Sequence, residues 1–456
     1  MNKIKNSKKI TRRSFLKTTA AAALAYGTIG GMAPIVLGKA KKFKGVTLNG
    51  AAFQHGYHMY LKEYLPEFEE MTGIKVNLEL AAFPIYNQRA DLELSTKGRA
   101  WDFMNITFIY TGRWIGAGWF ENLEPYIKDP NLTPPDWDAD DFMGGSMACL
   151  KDSNNNRYAF AWEGGAMIAA AGRFDIIEKS GFNHLPKTFE ELVTMCAAIN
   201  KKEECYAYVN DNLHHWHWIP FLHGFGGDVF KAPPGNLTPT IDTPEAIESA
   251  QYYADLLMKY SPEGILSYTM DQARVAQMTG RANYRNQAIA WLVPLAKEGS
   301  KVSKTVKYGL MPAGPKGNFP AVNSHGYGIP IGAKNKKAAW EFIKWALSKE
   351  MVKRIALEKG YTAICRKSII EDPKYKEYMT LNGQDVASLY MKVMEMSGTT
   401  GHMAYRTVPV FPQVGDKINK AIERIATKQQ TAEEAMKQAQ KQAIADLRKS
   451  GIKMDI

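Results

Sequence analysis

Gly45-Val46-Thr47-Leu48-Asn49-Gly50, the segment Tyr57 to Met71, and Thr72-Gly73-Ile74-Lys75-Val76-Asn77-Leu78-Glu79-Leu80 together decide the fold. The first run predicts a short strand ending in small residues. Met59, Leu61, Tyr64, Leu65 and Phe68 fall near helical spacing, which predicts a helix over 57–71. Thr72-Gly73 stops it. Ile74, Val76, Leu78 and Leu80 alternate with polar residues and predict a second strand with one apolar face. A further helix runs to about Lys97, and Trp101-Asp102-Phe103-Met104-Asn105-Ile106 predicts a third, buried strand. Strand–helix–strand–helix–strand is the α/β pattern, with mostly parallel sheets and helices on both faces.

A second α/β run starts near Arg157. Tyr158 to Trp162 predicts a strand, and Thr188-Phe189-Glu190-Glu191 a capping box opening a helix through Leu192, Cys196 and Ile199. Thr243-Pro244-Glu245 opens another, with an N-cap, proline at the first helical position and an acid in the first turn. Strands are predicted at Ala288 to Leu292 and Gly326 to Ile331. The second is followed by a helix with Ala339, Phe342, Ile343, Ala346 and Leu347 on one side. The C-terminal 40 residues predict two amphipathic helices, the second opened by Thr431-Ala432-Glu433-Glu434.

The chain has 456 residues and a formal net charge of +12, with a mean hydropathy of −0.32. That hydropathy argues against a multi-span membrane protein, and 10 Trp, 22 Tyr and 19 Phe supply ample core. A net charge of +12 invites a nucleic-acid reading. Eight of those charges, however, lie in residues 1–40, which hold no Asp or Glu. Thr11-Arg12-Arg13-Ser14-Phe15-Leu16-Lys17 matches the twin-arginine pattern. The Ala/Gly-rich run Thr18 to Leu37 follows, and Gly38-Lys39-Ala40 supplies a small-residue cleavage site. Residues 1–40 are therefore expected to be a twin-arginine signal peptide, cleaved near Ala40 after export to a periplasm. An uncleaved anchor is the alternative. The remainder carries only about +4, and no nucleic-acid partner is expected. Cys149, Cys196, Cys205 and Cys365 contain no C-x-x-C, so zinc-ribbon and iron–sulfur spacings are missing. Cys196 and Cys205 either pair across a short loop or remain buried thiols.

An ordered set of segments carries a resemblance. Met71-Thr72-Gly73-Ile74-Lys75-Val76 is followed by Trp101-Asp102-Phe103 and Gly118-Trp119-Phe120-Glu121-Asn122-Leu123. Then come Arg157-Tyr158-Ala159-Phe160, Leu185-Pro186-Lys187-Thr188-Phe189-Glu190-Glu191-Leu192, Phe225-Gly226-Gly227-Asp228 and Thr243-Pro244-Glu245-Ala246. Ala313-Gly314-Pro315-Lys316-Gly317, Gly326-Tyr327-Gly328-Ile329-Pro330, Ala338 to Trp345, and Tyr361 to Lys367 close the series. Over nearly all of 45–440 this resembles the family 1 extracellular solute-binding proteins of ABC importers, the maltose-binding-protein-like group. The resemblance implies two α/β lobes joined by a hinge, closing on a ligand in the cleft. It divides the chain into lobe one, 41–157 plus 313–357, and lobe two, 158–312 plus 358–456.

Ligands of α/β sheets sit at the carboxyl ends of strands. Sugars present apolar faces to aromatic rings and hydroxyls to carboxylates, amides and imidazoles. Gln54 and His55 after the first strand, and Thr107 and Tyr110 after the third, are the candidates in lobe one. Glu163 is the strongest single candidate, at the spacing where the family's maltose-binding member holds a ligand-binding carboxylate, with Trp162 beside it as either a stacking platform or core. The resemblance adds Trp216 and Trp218 in the run His214-His215-Trp216-His217-Trp218, then Trp291, His325 and Tyr327. Arg366 is the main basic candidate; facing the cleft, it would favour an acidic sugar. No metal, cofactor or catalytic residue is expected. Three His within four residues cannot all face one ion, and Asp136, Asp138, Asp140 and Asp141 lack the glutamate an EF-hand needs at Met147. No G-x-S-x-G, P-loop or G-x-G-x-x-G after a strand is present. The expected function is a monomeric periplasmic receptor that captures a carbohydrate or polyol, sugar acids included, and delivers it to an ABC importer permease. An exported carbohydrate-active enzyme and a sensory receptor of the same fold are the alternatives.

Overall fold

The first strand begins two residues later than expected and runs deeper. β1, Thr47–Phe53, is buried at Leu48 and throughout Gly50–Phe53. The computed structural model describes residues 43–164, 168–201, 205–322, 324–400, 404–408 and 410–455. The expected signal peptide and its cleavage site lie outside them. Helix Gly56–Thr72 follows β1 and ends at Gly73, whose φ of 74° is the left-handed cap that glycine adopts without strain. β2, Lys75–Ala81, pairs in parallel with β1 along its whole length. Helix Phe83–Ser95 leads on to β3, Phe103–Ile106, on the other side of β1. Gly50 makes that neighbour possible, because a Cβ there would sit 2.0 Å from the Phe103 ring.

The first sheet has the order β2-β1-β3-β11-β4, with β4 at Ala159–Glu163 and β11 at His325–Gly328. The second has the order β10-β5-β9-β6, with β5 at Ala169–Arg173, β6 at Tyr206–Tyr208, β9 at Ala282–Gln287 and β10 at Val306–Leu310. Between β6 and β9, β7 (Phe230–Ala232) and β8 (Asn236–Pro239) form a separate antiparallel hairpin.

One expectation gains detail and one needs correction. Each sheet is mostly parallel in strand direction but carries one reversed strand, since β11 is antiparallel to both β3 and β4, and β5 to both β9 and β10. β11 and β5 are the strands that enter directly from the other sheet. A chain arriving at the end where parallel strands finish must run the opposite way, whereas parallel pairing needs a long return crossover. The first crossing also falls at 164–168 rather than between 157 and 158, because β4 pairs with β11 inside the first sheet.

This topology fixes the cleft. β1, β3 and β4 finish at one end of the first sheet, where β11 begins, and His325 is registered opposite Glu163. In the second sheet Ala169 opens β5 opposite both Gln287 and Leu310. The five-residue link Gly164–Ile168 therefore joins these two ends.

Each sheet has its own core. The first packs Leu48, Phe103, Phe160, Tyr327 and Phe342 together. The second buries helices Phe189–Ile199 and Pro244–Tyr260 together with the C-terminal helices Phe411–Ala426 and Ala432–Lys449. Thr188 caps the first of these helices, but the Glu191 carboxylate bonds the Lys187 amide instead of returning to Thr188. Thr431 and Glu434 form the full capping box.

The segment 288–292, expected as a strand, begins a short helix, Ile289–Leu292. The strand lies just before it, in β9. Every residue of β9 is buried although its sequence is Ala-Asn-Tyr-Arg-Asn-Gln, so no apolar alternation marked it. Cys196 and Cys205 are both buried, and no disulfide joins them.

Candidate functional site: the cleft between the two sheets

Glu163 terminates β4 with its side chain 19% exposed, so a solute can reach it. Its oxygens lie 3.6 Å from His55 Nε2 and 3.7 Å from His325 Nε2. Both separations exceed a good hydrogen bond, leaving the carboxylate's lone pairs for a ligand. Burial pushes its pKa up, while His55 pulls the other way. His55 caps the following helix, with Nδ1 accepting from the Tyr57 amide. That bond assigns the ring proton of neutral His55 to Nε2, the nitrogen nearest Glu163. Burial, followed by the charge of His55, holds His325 neutral well below the usual histidine range.

Trp162 is the support of this group. It is only 2% exposed, its Nε1 donates to Asn105 Oδ1 at 2.7 Å, and its ring stacks on His325 at 5.5 Å and 15°. It positions the imidazoles from within the core, one of the two places the sequence left open for it. Gln54 is exposed beyond β1. Thr107 is fully buried and donates to Asn87 Oδ1; its hydroxyl is used inside the lobe. Tyr110 stacks on Trp114 at 4.9 Å and does not line the cavity described next. Tyr327 is fully buried with its hydroxyl 2.6 Å from His58 Nδ1, so it too is core.

A cavity of about 630 Å³ opens beside this group, lined among others by Phe83, Phe108, Trp216, Gln287, Trp291 and Arg406. Its volume fits small-molecule sites. Phe83 and Phe108 both touch the His325 ring, which connects the cavity to Glu163. Phe83 and Phe108 follow strands β2 and β3; Trp216, Gln287 and Trp291 follow or end β6 and β9. Both sheets thus contribute. A larger hollow of about 740 Å³ lies along β1 and β2 between Asn49, Asn77, Glu79 and Arg89. Its lining comes from the first lobe alone, so it is not the cleft.

Trp291 is 38% exposed and presents a ring to the cavity, with the Arg274 guanidinium 5.6 Å from its centroid. Trp216 lines the same space but has Arg406 4.1 Å from its ring centroid. Trp218, by contrast, is fully buried and donates to Ser249 Oγ; alternation around a helical turn sends it into the core. The neighbouring histidines diverge. His217 bonds Asp211, His215 bonds Asn419 and His214 lies beside Tyr253. Among the described residues no group of three His, Cys, Asp or Glu side chains is placed to hold a metal.

Behind the second wall, buried Asp211 accepts from His217 at 2.8 Å, from Arg285 at 2.8 Å and from Gln287 at 3.3 Å. Burial alone would raise its pKa; His217 and Arg285 outweigh that and hold the carboxyl well below the usual range. Gln287 is thereby fixed at the cavity rim.

Arg366 departs most from expectation. It is fully buried, donating to Leu347 O at 2.7 Å, Asp138 O at 3.0 Å and Asp141 Oδ2 at 3.1 Å. Three acceptors from two chain segments make it a structural tie that no ligand reaches. The basic group at the cleft is instead Arg406, in a short turn before the C-terminal helices, where neither periodicity nor a strand end marked it. Phe83, Phe108 and Gln287 were missed as well. The two phenylalanines were legible as the next apolar residues after predicted strands, and Gln287 was hidden with the rest of β9.

Two mixed α/β lobes with the cleft at their facing strand ends define the two-lobe periplasmic binding protein fold. Residues 58–353 match the family model for bacterial extracellular solute-binding proteins, and the chain belongs to that family. It is similar to the erythritol/L-threitol-binding protein of Mycolicibacterium smegmatis, 23% identical over 73% of this chain and 72% of that one. It is also similar to the mannitol-binding protein of Pseudomonas aeruginosa, 21% identical over 80% and 85%. Among solved structures, a solute-binding protein of Agrobacterium radiobacter K84 in complex with ribitol superposes with a TM-score of 0.73 at 21% identity, covering 88% of this chain and 98% of that one.

Proposed function

We propose that the protein is a periplasmic receptor that captures a carbohydrate or polyol between its lobes and delivers it to an ABC importer permease. One observation carries this reading. A reachable carboxylate, flanked by two imidazoles that do not saturate it, lies one ring contact, through His325, from a cavity to which both sheets contribute aromatic side chains. Glu163 accepts from ligand hydroxyls, His55 Nε2 donates, and Trp291 covers an apolar sugar face. Gln54, His325, Trp216 and Gln287 complete the contacts. Ligand shared by both lobes favours the closed form by its difference in affinity for closed and open forms. The erythritol, mannitol and ribitol named for its relatives support a polyol-sized ligand. The precursor leaves the cytoplasm through the twin-arginine machinery, is cleaved near Ala40, and acts as a monomer. A thermal-shift screen against sugars, polyols and sugar acids tests the binding reading, since a ligand of the folded state raises Tm. At least one compound should give a saturable rise; a flat response across the panel would overturn the reading.

A further inference from the structure

Two fully buried arginines each have an anionic partner, and a third, only partly buried, has two buried guanidinium nitrogens. Arg285 NH2 lies 2.8 Å from Asp211, and Arg366 NH1 lies 3.1 Å from Asp141. Arg406, the third, has no anionic partner among the described residues. Its Nε and NH1 are buried without a hydrogen-bond acceptor, and it lines the cleft cavity. Three rings hold it flat, with Trp216 at 4.1 Å, Phe108 at 5.1 Å and Phe411 at 5.4 Å from the guanidinium carbon. Phe108 belongs to the first lobe and the other two rings to the second. Among the described lining residues of this cavity the one carboxylate, Asp416, is taken by Lys417 and Lys420. A desolvated cation without an anion is costly, and aromatic faces compensate only part of that cost.

We infer that the cleft takes a polyhydroxylated ligand bearing a carboxylate, an aldonic or uronic acid, with the carboxylate on Arg406 and the hydroxyls on Glu163 and its imidazoles. This rests on the reading of the cleft as a carbohydrate or polyol site and narrows its substrate class. A single guanidinium matches a monoanion, and its planar donors suit a carboxylate. Trp216 then serves chiefly to orient Arg406, and Trp291 remains the free platform for the ligand's carbon chain.

The test is calorimetry with matched pairs that differ only in the acid group, D-gluconate against D-glucitol and D-glucuronate against D-glucose, at neutral pH and fixed salt. The acid member of at least one pair should bind about tenfold tighter or more, as a charge-assisted bond predicts. Arg406→Gln should remove that preference, and Arg406→Lys should retain part of it. Neutral members binding as tightly as the acids, or a preference that survives in Arg406→Gln, would overturn the inference and leave the carbohydrate reading standing. Binding of neither member of either pair would also overturn the inference, while the carbohydrate reading falls only to a flat thermal-shift panel. The wild-type comparison needs no variant to fold.

Discussion

Replacing Glu163 with alanine should weaken ligand binding while leaving the protein at least as stable. The carboxylate sits 3.6 and 3.7 Å from two imidazole nitrogens, so it makes no strong bond in the free protein. Its partly buried position is a cost to folding, expressed as the raised pKa. A ligand hydroxyl given to it forms a hydrogen bond to a charged group, worth about 1.5–3 kcal/mol. Loss of one such bond corresponds to about 10- to 150-fold in Kd. Glu163→Gln keeps an acceptor of the same shape without the charge, and should fall between wild type and Glu163→Ala. The assay is calorimetric titration with the strongest compound from the thermal screen, beside urea unfolding of each variant. An alanine variant that binds within twofold of wild type would remove Glu163 from the site. One that lost both affinity and several kcal/mol of stability would make Glu163 a structural residue, and the functional assignment would fail.

Arg366→Met should destabilise the fold by about 3–5 kcal/mol, because it leaves Asp141 buried without its cation. Ligand affinity of the folded variant should stay within twofold, and a large affinity loss would return Arg366 to the site. Asp211→Ala should cost a similar ~3–5 kcal/mol by stranding Arg285, read as a lower urea midpoint; an unchanged midpoint would contradict the network drawn behind Gln287. Stability should also fall on acidification. Burial lowers His214 to about 4 and His215 to about 3 from 6.5. The unfolded chain therefore binds more protons than the folded one between pH 6.5 and those values. Each group then removes about 1.4 kcal/mol per pH unit as pH falls through that window. A urea midpoint that stayed flat from pH 7 to pH 5 would refute this.

The strand–helix–strand opening was legible because each element carried its own period: helical over 57–71, alternating over 74–80, and a stop at Gly73. The end of β4 was equally legible, and with it Glu163, because an apolar run that breaks on an acid marks a strand's exit. Strand direction was not. β5 and β11 run antiparallel because of where the chain enters each sheet, which no local pattern encodes. β9 was invisible because its polar residues are satisfied by partners far away in sequence, Asp211 for Arg285 and Gln287. The same blindness explains the aromatics and arginines. Trp216 and Trp218 look alike in sequence, yet one lines the cavity and the other bonds Ser249. Arg366 is tied inside the fold by Asp141, while Arg406, which Asp141 does not reach, lines the cavity. Residue type suggested which chemistries to look for, and tertiary contacts decided which copy lines the cavity and which lies in the core.

Ligand should be held between the two sheets, at Glu163 on one side and Trp291 on the other. A crystal structure of the protein with the strongest compound from the thermal screen tests it directly. The account predicts one molecule bridging the lobes, its hydroxyls on the Glu163 carboxylate and its carbon chain against Trp291. A ligand bound in the hollow along β1 and β2, or anywhere that contacts one lobe alone, would contradict it.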